Sequence, residues 1–294
     1  MARLLATIIS ILIVFAGVWV GRQVYDRVKL PGGINWPSLP SLGRQSSEPA
    51  NSKEAEKAHL AFGNPSNAKP DGSNKDNFLM VTDAYALSYN DRKGTPNWVS
   101  WRITEDDLGN LERQNDFQPD ESLPPGWKEV SPSDYTGSGY DRGHLCPSGD
   151  RSNDPDKNSL TFLMTNIAPQ TGDLNRYPWE RLESYARGLV RRGHVDLYVV
   201  AGVYGEKEKL KARITVPTNF WKIIIALPQG GTIADVNENS HVIAVDMPNI
   251  EGISQKDWRS YRTSVKAIEH STGYNFFSTL PQRLQDVLKT RTRD

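Results

Sequence analysis

The strongest hydrophobic pattern comes first in the chain: an apolar run extends almost unbroken from Leu4 to Val20 and is closed by Arg22. Its 17 residues lie at the short end of what crosses a bilayer, yet exceed the apolar stretch of an ordinary secretory signal. Residues 1–21 are therefore expected to be a signal peptide or a membrane anchor. An anchor is favoured because bulky Trp19 and Val20 carry the run past the small residues around Ala16. The lack of a polar face argues against a helix buried in a globular core. Residues 22–58 are rich in Pro, Gly and Ser, as in Leu30-Pro31-Gly32-Gly33 and Pro37-Ser38-Leu39-Pro40, and show no sustained period. They read as a spacer. From His59 onward the pattern supports one domain, residues 59–294, with no second low-complexity break and no internal repeat.

Within that domain, stretches dense in β-branched and aromatic residues predict strands at Asn97–Thr104, His194–Val203, Phe220–Leu227 and His241–Asp246. Helices are predicted at Pro178–Val190 and Trp258–His270, the first carrying Trp179, Leu182, Ala186 and Leu189 at spacings of three and four. Strand blocks interrupted by helices, without a regular strand–helix alternation, indicate an α+β domain built on a mainly antiparallel sheet.

Composition changes this picture in three ways. An apolar content of 37% over 294 residues is enough for a substantial core. The single cysteine, Cys146, excludes an internal disulfide and a zinc site made of several thiolates, and the 5 histidines show no paired ligand spacing. Net charge is zero over the chain, and beyond residue 60 there are 28 basic against 31 acidic residues, a net of −3. A phosphate-binding surface must therefore be a local cluster of arginines.

A carboxylate, a guanidinium and an imidazole stand within four residues in Tyr140-Asp141-Arg142-Gly143-His144-Leu145-Cys146-Pro147. Histidine is the natural general base near neutral pH, the arginine fork matches phosphate oxygens, and Gly143 permits close backbone approach. Taken alone, the segment also reads as a surface loop with an Asp–Arg pair. Further along, Asn175, Trp179 and Glu183 recur every fourth position. Pro178 belongs in a first helical turn, so Asn175 is expected at or just before the helix start, with Glu183 about two turns beyond it. One amide oxygen with one carboxylate suits Mg²⁺, which keeps several waters. An ordinary helix cap at Asn175 and a solvated Glu183 are the plain alternatives.

These residues together resemble the DNA/RNA non-specific endonucleases of the ββα-metal type, over most of residues 61–281. The resemblance rests also on Gly63-Asn64-Pro65-Ser66, Tyr85–Asn90, the Trp98–Thr104 strand, Thr165-Asn166-Ile167-Ala168-Pro169-Gln170, Val216–Phe220 and Phe276-Phe277. It implies a ββα-metal nuclease fold with a mainly antiparallel central sheet flanked by helices. It further implies His144 as general base, Asn175 as direct ligand of one Mg²⁺ (Mn²⁺ as substitute), Glu183 holding metal-bound water, and Arg142 near the phosphate. Arg113 is the candidate for a further family arginine, by the local pattern of Arg113–Asp120, and Asn166 resembles an asparagine close to the site, with a supporting role. DNA and RNA are the implied substrates, 5′-phosphates the implied products, and a homodimer occurs among relatives.

Cys146 stands where the family pattern has a small residue such as Ala, which suggests packing; a redox-sensitive thiol is the alternative. The N-terminal run places the expected nuclease outside the cytoplasm, secreted, periplasmic or held at a membrane. Two other functions fit parts of this pattern. A catalytically inactive module could bind nucleic acid through the same cleft, but would not need His144, Asn175 and Glu183 together; a metal phosphoesterase for small substrates would share the metal chemistry.

Overall fold

The computed structural model describes residues 49–292, so the apolar run from Leu4 to Val20 and most of the Pro/Gly/Ser-rich stretch lie outside the described residues. The end of that stretch is helical: α1 spans Pro49–His59 and packs against the first strands of the sheet, Ser100 Oγ donating to the His59 carbonyl over 2.6 Å.

Among the described residues the strands are β1 (Phe78–Val81), β2 (Ala86–Asn90), β3 (Thr95–Ile103), β4 (Asp141–His144), β5 (Ile167–Gln170), β6 (Val195–Tyr204), β7 (Lys209–Leu210), β8 (Ile214–Thr215), β9 (Asn219–Pro228) and β10 (His241–Pro248). Six form the central sheet in the order β1-β2-β3-β6-β9-β10, every pair antiparallel. The four predicted strands are its β3, β6, β9 and β10. Both faces are covered, and the pleat divides each strand between them. On β9, Phe220 and Ile224 enter one core layer, whereas Trp221, Ile223, Ile225 and Leu227 enter the other. Trp98, Trp101, Trp179 and Trp221 are fully buried in these layers, and truncating one such side chain to alanine typically costs about 3–5 kcal/mol.

The layer behind the second face is closed by α4 (Val265–Thr272), α5 (Gln282–Thr290) and Phe276-Phe277. The single helix predicted over Trp258–His270 is in fact a short 3₁₀ turn, Trp258–Tyr261, followed by α4. The break has a tertiary cause: Arg262 bridges Val245 and the Thr263 amide donates to the Ala244 carbonyl on β10 over 2.9 Å, so the chain is extended there before Ser264 caps α4.

The first face carries the functional unit. β4 pairs antiparallel with β5 across the intervening α2 (Pro155–Leu160), with Asp141 opposite Gln170 and His144 opposite Ile167. The chain then runs from Thr171 through a helical turn (Gly172–Leu174) and a wide π turn (Asn175–Trp179) into α3 (Glu180–Gly193). Leu145, Cys146, Ala168, Leu174, Trp179, Leu182 and Ala186 press this strand–strand–helix unit onto the sheet. Neither β4 nor β5 was predicted, because their residues lack the alternation that marks a half-buried strand. A backbone of this kind is held by its ladder and by close approach. A Cβ at Gly143 would lie 2.7 Å from Gln170 Cβ and 3.1 Å from the Ala168 carbonyl oxygen.

Gly143→Ala should therefore wedge β4 from β5 and lower stability by about 1–3 kcal/mol, the usual cost of overpacking. Thermal melting checks this, and an unchanged midpoint would show that the two strands have room to spare.

Candidate active site

A cleft of about 390 Å³ opens between the β4–β5 pair and the segments before them, and Arg113, Arg142, Asn175, Asp141 and Arg176 all line it. Of the residues singled out in the sequence, three thus meet at one surface. His144, Glu183 and Asn166 are not part of this lining.

Asn175 is brought to the cleft by the π turn. Pro178 has no N–H to donate to the carbonyl four residues back, and a widened turn is the local geometry that takes the ring within a helical run. Helical turns begin at Gly172, so Asn175 is already inside the run, with φ −60° and ψ −49°, and does not cap it. This corrects the expectation of Asn175 at or before the helix start. Its Nδ2 donates to Asp141 Oδ2 over 3.0 Å, which fixes the orientation of the amide. Arg176 grips the same carboxylate through Nε (2.8 Å) and Nη2 (2.6 Å). Burial opposes ionisation of Asp141, but the Arg176 and Asn175 hydrogen bonds, with the charges of Arg176 and Arg142, hold its carboxyl below the usual range. Asp141 was visible in the motif, but its role as the holder of Asn175 was not.

His144 lies behind the cleft wall. Its ring packs against Phe117 (centroids 5.2 Å) and edge-on against Phe162 (5.0 Å). Arg142 lies over the Phe117 ring at 4.3 Å, and Arg113 over the Phe162 ring at 5.6 Å. Each arginine thus caps an aromatic ring that walls the histidine. Burial, then the charges of Arg113 and Arg142, lower the His144 pKa from 6.5 to about 3, so the imidazole is neutral at physiological pH. Its Nε2 is buried without a hydrogen-bond partner.

Two asparagines hold the unit from behind. Asn166 accepts from the Cys146 amide (3.0 Å) and donates to the Cys146 and Thr161 carbonyls (2.8 Å each), so its side chain is spent on backbone next to His144. Asn249, which the sequence reading missed, accepts from the Thr171 amide (2.8 Å) and donates to the Pro169 and Pro217 carbonyls, tying the end of β5 to the sheet. Cys146 is fully buried and burial raises its thiol pKa, which fits a packing residue better than a redox gate.

Glu183, on α3, takes a hydrogen bond from Lys222 Nζ on β9 over 3.1 Å. Burial raises its carboxyl above the usual range against the opposing pull of Lys222 and Arg187. Nearby, Asp150 joins Trp101 Nε1 (2.9 Å) to Arg187 (3.1 Å). Lys222 also went unnoticed in the sequence, although a charge within the apolar run Phe220–Leu227 was a signal for it.

The donor set bears on metal choice. Among the described residues, no group of three or more His, Cys, Asp or Glu is placed to hold an ion, which disfavours a closed zinc or carboxylate cage. An amide oxygen near one carboxylate, Asp141, fits a hard cation that keeps most of its water.

Two antiparallel strands leading into a helix, beside an arginine-lined cleft with a buried histidine behind its wall, have the arrangement of the ββα-metal fold. The chain belongs to the DNA/RNA non-specific endonuclease family, whose model matches residues 63–283. It is 48% identical over 235 residues to a nuclease of Nostoc sp., covering 79% of this chain and 85% of that one. It is 31% identical over 227 residues to a nuclease of Serratia marcescens, covering 73% and 80%. With the mitochondrial nuclease EXOG of Homo sapiens it shares 29% identity over 218 residues, covering 69% and 57%. In fold it matches a solved structure of an EndoG/EndoGI complex, with a TM-score of 0.65 at 24% identity, covering 81% of this chain and 96% of that one. The chain is thus an enzyme that hydrolyses nucleic acid.

The His144 environment has a consequence for stability. The unfolded chain protonates this histidine near 6.5 while the folded chain resists until about 3. The stability tied to the neutral ring is therefore held above 6.5 and lost as pH falls through that window. His59, lowered likewise to about 3, chiefly by burial, adds to the effect. The melting midpoint should drop between pH 6.5 and about pH 4, and His144→Gln should flatten part of that drop. Parallel pH profiles for the two proteins would refute a buried, neutral His144.

Proposed function

We propose that this chain is a Mg²⁺-dependent, sugar-non-specific endonuclease, exported by its N-terminal segment, in which His144 is the general base and Asn175 the direct ligand of one metal ion. The observation that carries the reading is the neutral, buried His144, whose unpartnered Nε2 lies behind an arginine-lined cleft. A base must be unprotonated to take a proton from water, and burial beside Arg113 and Arg142 keeps it so; a phosphate paired with the two arginines would offset their charge and raise the imidazole pKa toward the range in which it is an effective base. Arg113 and Arg142 bind the phosphate and spread the charge that builds on it. Asp141 orients Asn175, Glu183 holds metal-bound water, and Asn166 supports the strand that carries His144. Mg²⁺ at Asn175, with Mn²⁺ as a substitute, would neutralise the scissile phosphate and stabilise the leaving alkoxide. Release of that alkoxide from the 3′ side leaves 5′-phosphate and 3′-hydroxyl ends. Contacts directed to phosphate and sugar position a strand without reading its bases, which accounts for activity on both DNA and RNA.

The apolar run Leu4–Val20 supports an extracytoplasmic nuclease, either released or tethered. Among the described residues no helix is long and apolar enough to cross a membrane, and the run itself lies outside them.

Supercoiled plasmid and RNA should both be cut in Mg²⁺ and spared in chelator. His144→Ala should lose about 10²–10⁴ in turnover, the usual contribution of a positioned base, with nucleic-acid binding little changed. Asn175→Ala should recover partly at high Mg²⁺, whereas His144→Ala should not. Folded His144→Ala cutting within a few-fold of wild type would end the general-base assignment.

Salt gives an independent check. A domain of net −3 that holds phosphate through a few arginines should show a log–log binding slope of about −2 to −4 on duplex DNA. A slope near −10 would mean an extended basic groove instead.

A further inference from the structure

On the site-facing side of β9 the pleat sets Lys222 between Phe220 and Ile224. Its side chain is 2% exposed, while the partner carboxylate of Glu183 is 11% exposed. Taking an ammonium out of water costs several kcal/mol after relaxation, by order of magnitude, and something must offset it. Nζ reaches Glu183 Oε1 at 3.1 Å and lies 4.1 Å from the Trp179 ring centroid and 5.7 Å from that of Trp101.

The two aromatic walls are themselves fixed. Trp179 packs edge-on against Phe220 at 5.6 Å. Trp101 is anchored by its indole N–H to Asp150 Oδ2, and Asp150 Oδ1 is held by Arg187. The ammonium therefore sits in a rigid slot whose hydrogen-bond direction runs to Glu183. Stability alone does not call for this arrangement, since replacing both partners of a buried ion pair by apolar side chains is often no less stable, whereas removing one strands the other charge. What an apolar residue cannot do is fix the orientation of a carboxylate on three rotatable bonds, with a second carboxylate, Asp150, in the same network.

We propose that Lys222 is a positioning residue for the reaction: by pinning Oε1 it holds the Glu183 carboxylate in the orientation from which it serves metal-bound water, with Trp101 and Trp179 as the walls of the clamp. The inference rests on the role assigned to Glu183 above. Lys222 acts through Glu183 and touches neither phosphate nor water itself. Its contribution should therefore appear in metal binding and vanish when Glu183 can no longer contribute.

The test uses the full chain and the Lys222→Met and Lys222→Gln variants, with Mn²⁺ binding followed by the electron paramagnetic resonance of the free ion, alongside plasmid cleavage and thermal melting. Lys222→Met should weaken Mn²⁺ binding by roughly 10-fold and lower turnover 10- to 100-fold, the range for loss of a partner that orients a metal site. Its metal-free melting midpoint should fall, because Glu183 is left buried without its partner, so metal affinity is compared at a temperature where every variant is folded. Lys222→Gln keeps a donor toward Oε1 and should fall between the two. In a Glu183→Gln background, Lys222→Met should change Mn²⁺ affinity little further, because the coupling is between neighbours.

Wild-type Mn²⁺ affinity in the folded Lys222 variants, with only the melting midpoint reduced, would overturn the proposal in favour of a purely structural lysine. Tighter Mn²⁺ binding in Lys222→Met would overturn it differently, showing that the lysine competes with the metal for Glu183. Should Lys222→Met fail to fold, Lys222→Gln decides by the same affinity criterion. A wild-type chain inert toward plasmid in Mg²⁺ would instead defeat the nuclease reading itself.

Discussion

The pairing of β4 with β5 is the constraint on which the rest of the site depends. Four residues, Asp141 to His144, form a strand with almost no apolar side chains to drive them there, and they do so against Ile167 to Gln170 more than twenty residues on. Side-chain burial cannot hold such a strand, so backbone and polar contacts do. The ladder is extended by the Leu145 amide donating to the Asn166 carbonyl (3.1 Å), and Asn166 closes it with three side-chain hydrogen bonds. Because the helical turns that lead into α3 follow β5 after Thr171 alone, this one pairing sets both Asn175 and Glu183 relative to His144. Gly143 is what allows the two backbones to approach so closely.

Once the strands are paired, the electrostatics follow from burial. A lysine beside a glutamate is costly in a core unless each charge meets a partner or a π face, and an imidazole buried behind two exposed arginines is costly to protonate. Arg142 and Arg113 lie over Phe117 and Phe162, keep access to the cleft, and together with burial leave His144 neutral. Lys222 meets Glu183 between Trp179 and Trp101. Asp141 is shared by Asn175 and Arg176. A chain without net charge can in this way present a locally basic cleft to a polyanion, since the acidic groups nearest the site are already engaged by its own cations and amides.

Rigidity runs from the sheet outward. Trp101, Trp179 and Lys222 belong to the packed face of the sheet and to the helix on it, while the cleft-lining residues stand on elements tied to that face by Asn166 and Asn249. Catalytic geometry of this sort needs side chains whose own orientations are fixed by packing and hydrogen bonds. Here the fixing groups are buried polar residues that touch no solvent-facing chemistry.

The sequence by itself determined the elements whose signal is local. β3, β6, β9 and β10 follow from dense β-branched and aromatic runs, and the amphipathic spacing of Trp179, Leu182 and Ala186 marks α3. The contiguous Asp141-Arg142-Gly143-His144 run, with Asn175 and Glu183 at their spacings, carried the candidate chemistry and the family. Tertiary structure decided the remainder. That Asp141 to His144 is a strand, that Asp141 orients Asn175, and that Phe117 and Phe162 enclose His144 all depend on contacts between segments far apart in the chain, which no local period encodes. The break between Trp258 and Val265 arises because β10 offered a backbone partner that outcompeted helical continuation. Lys222 illustrates the boundary: its charge in an apolar strand is plain in the sequence, but only the fold brings Glu183 to it, because their 39-residue separation is closed by packing α3 on the sheet.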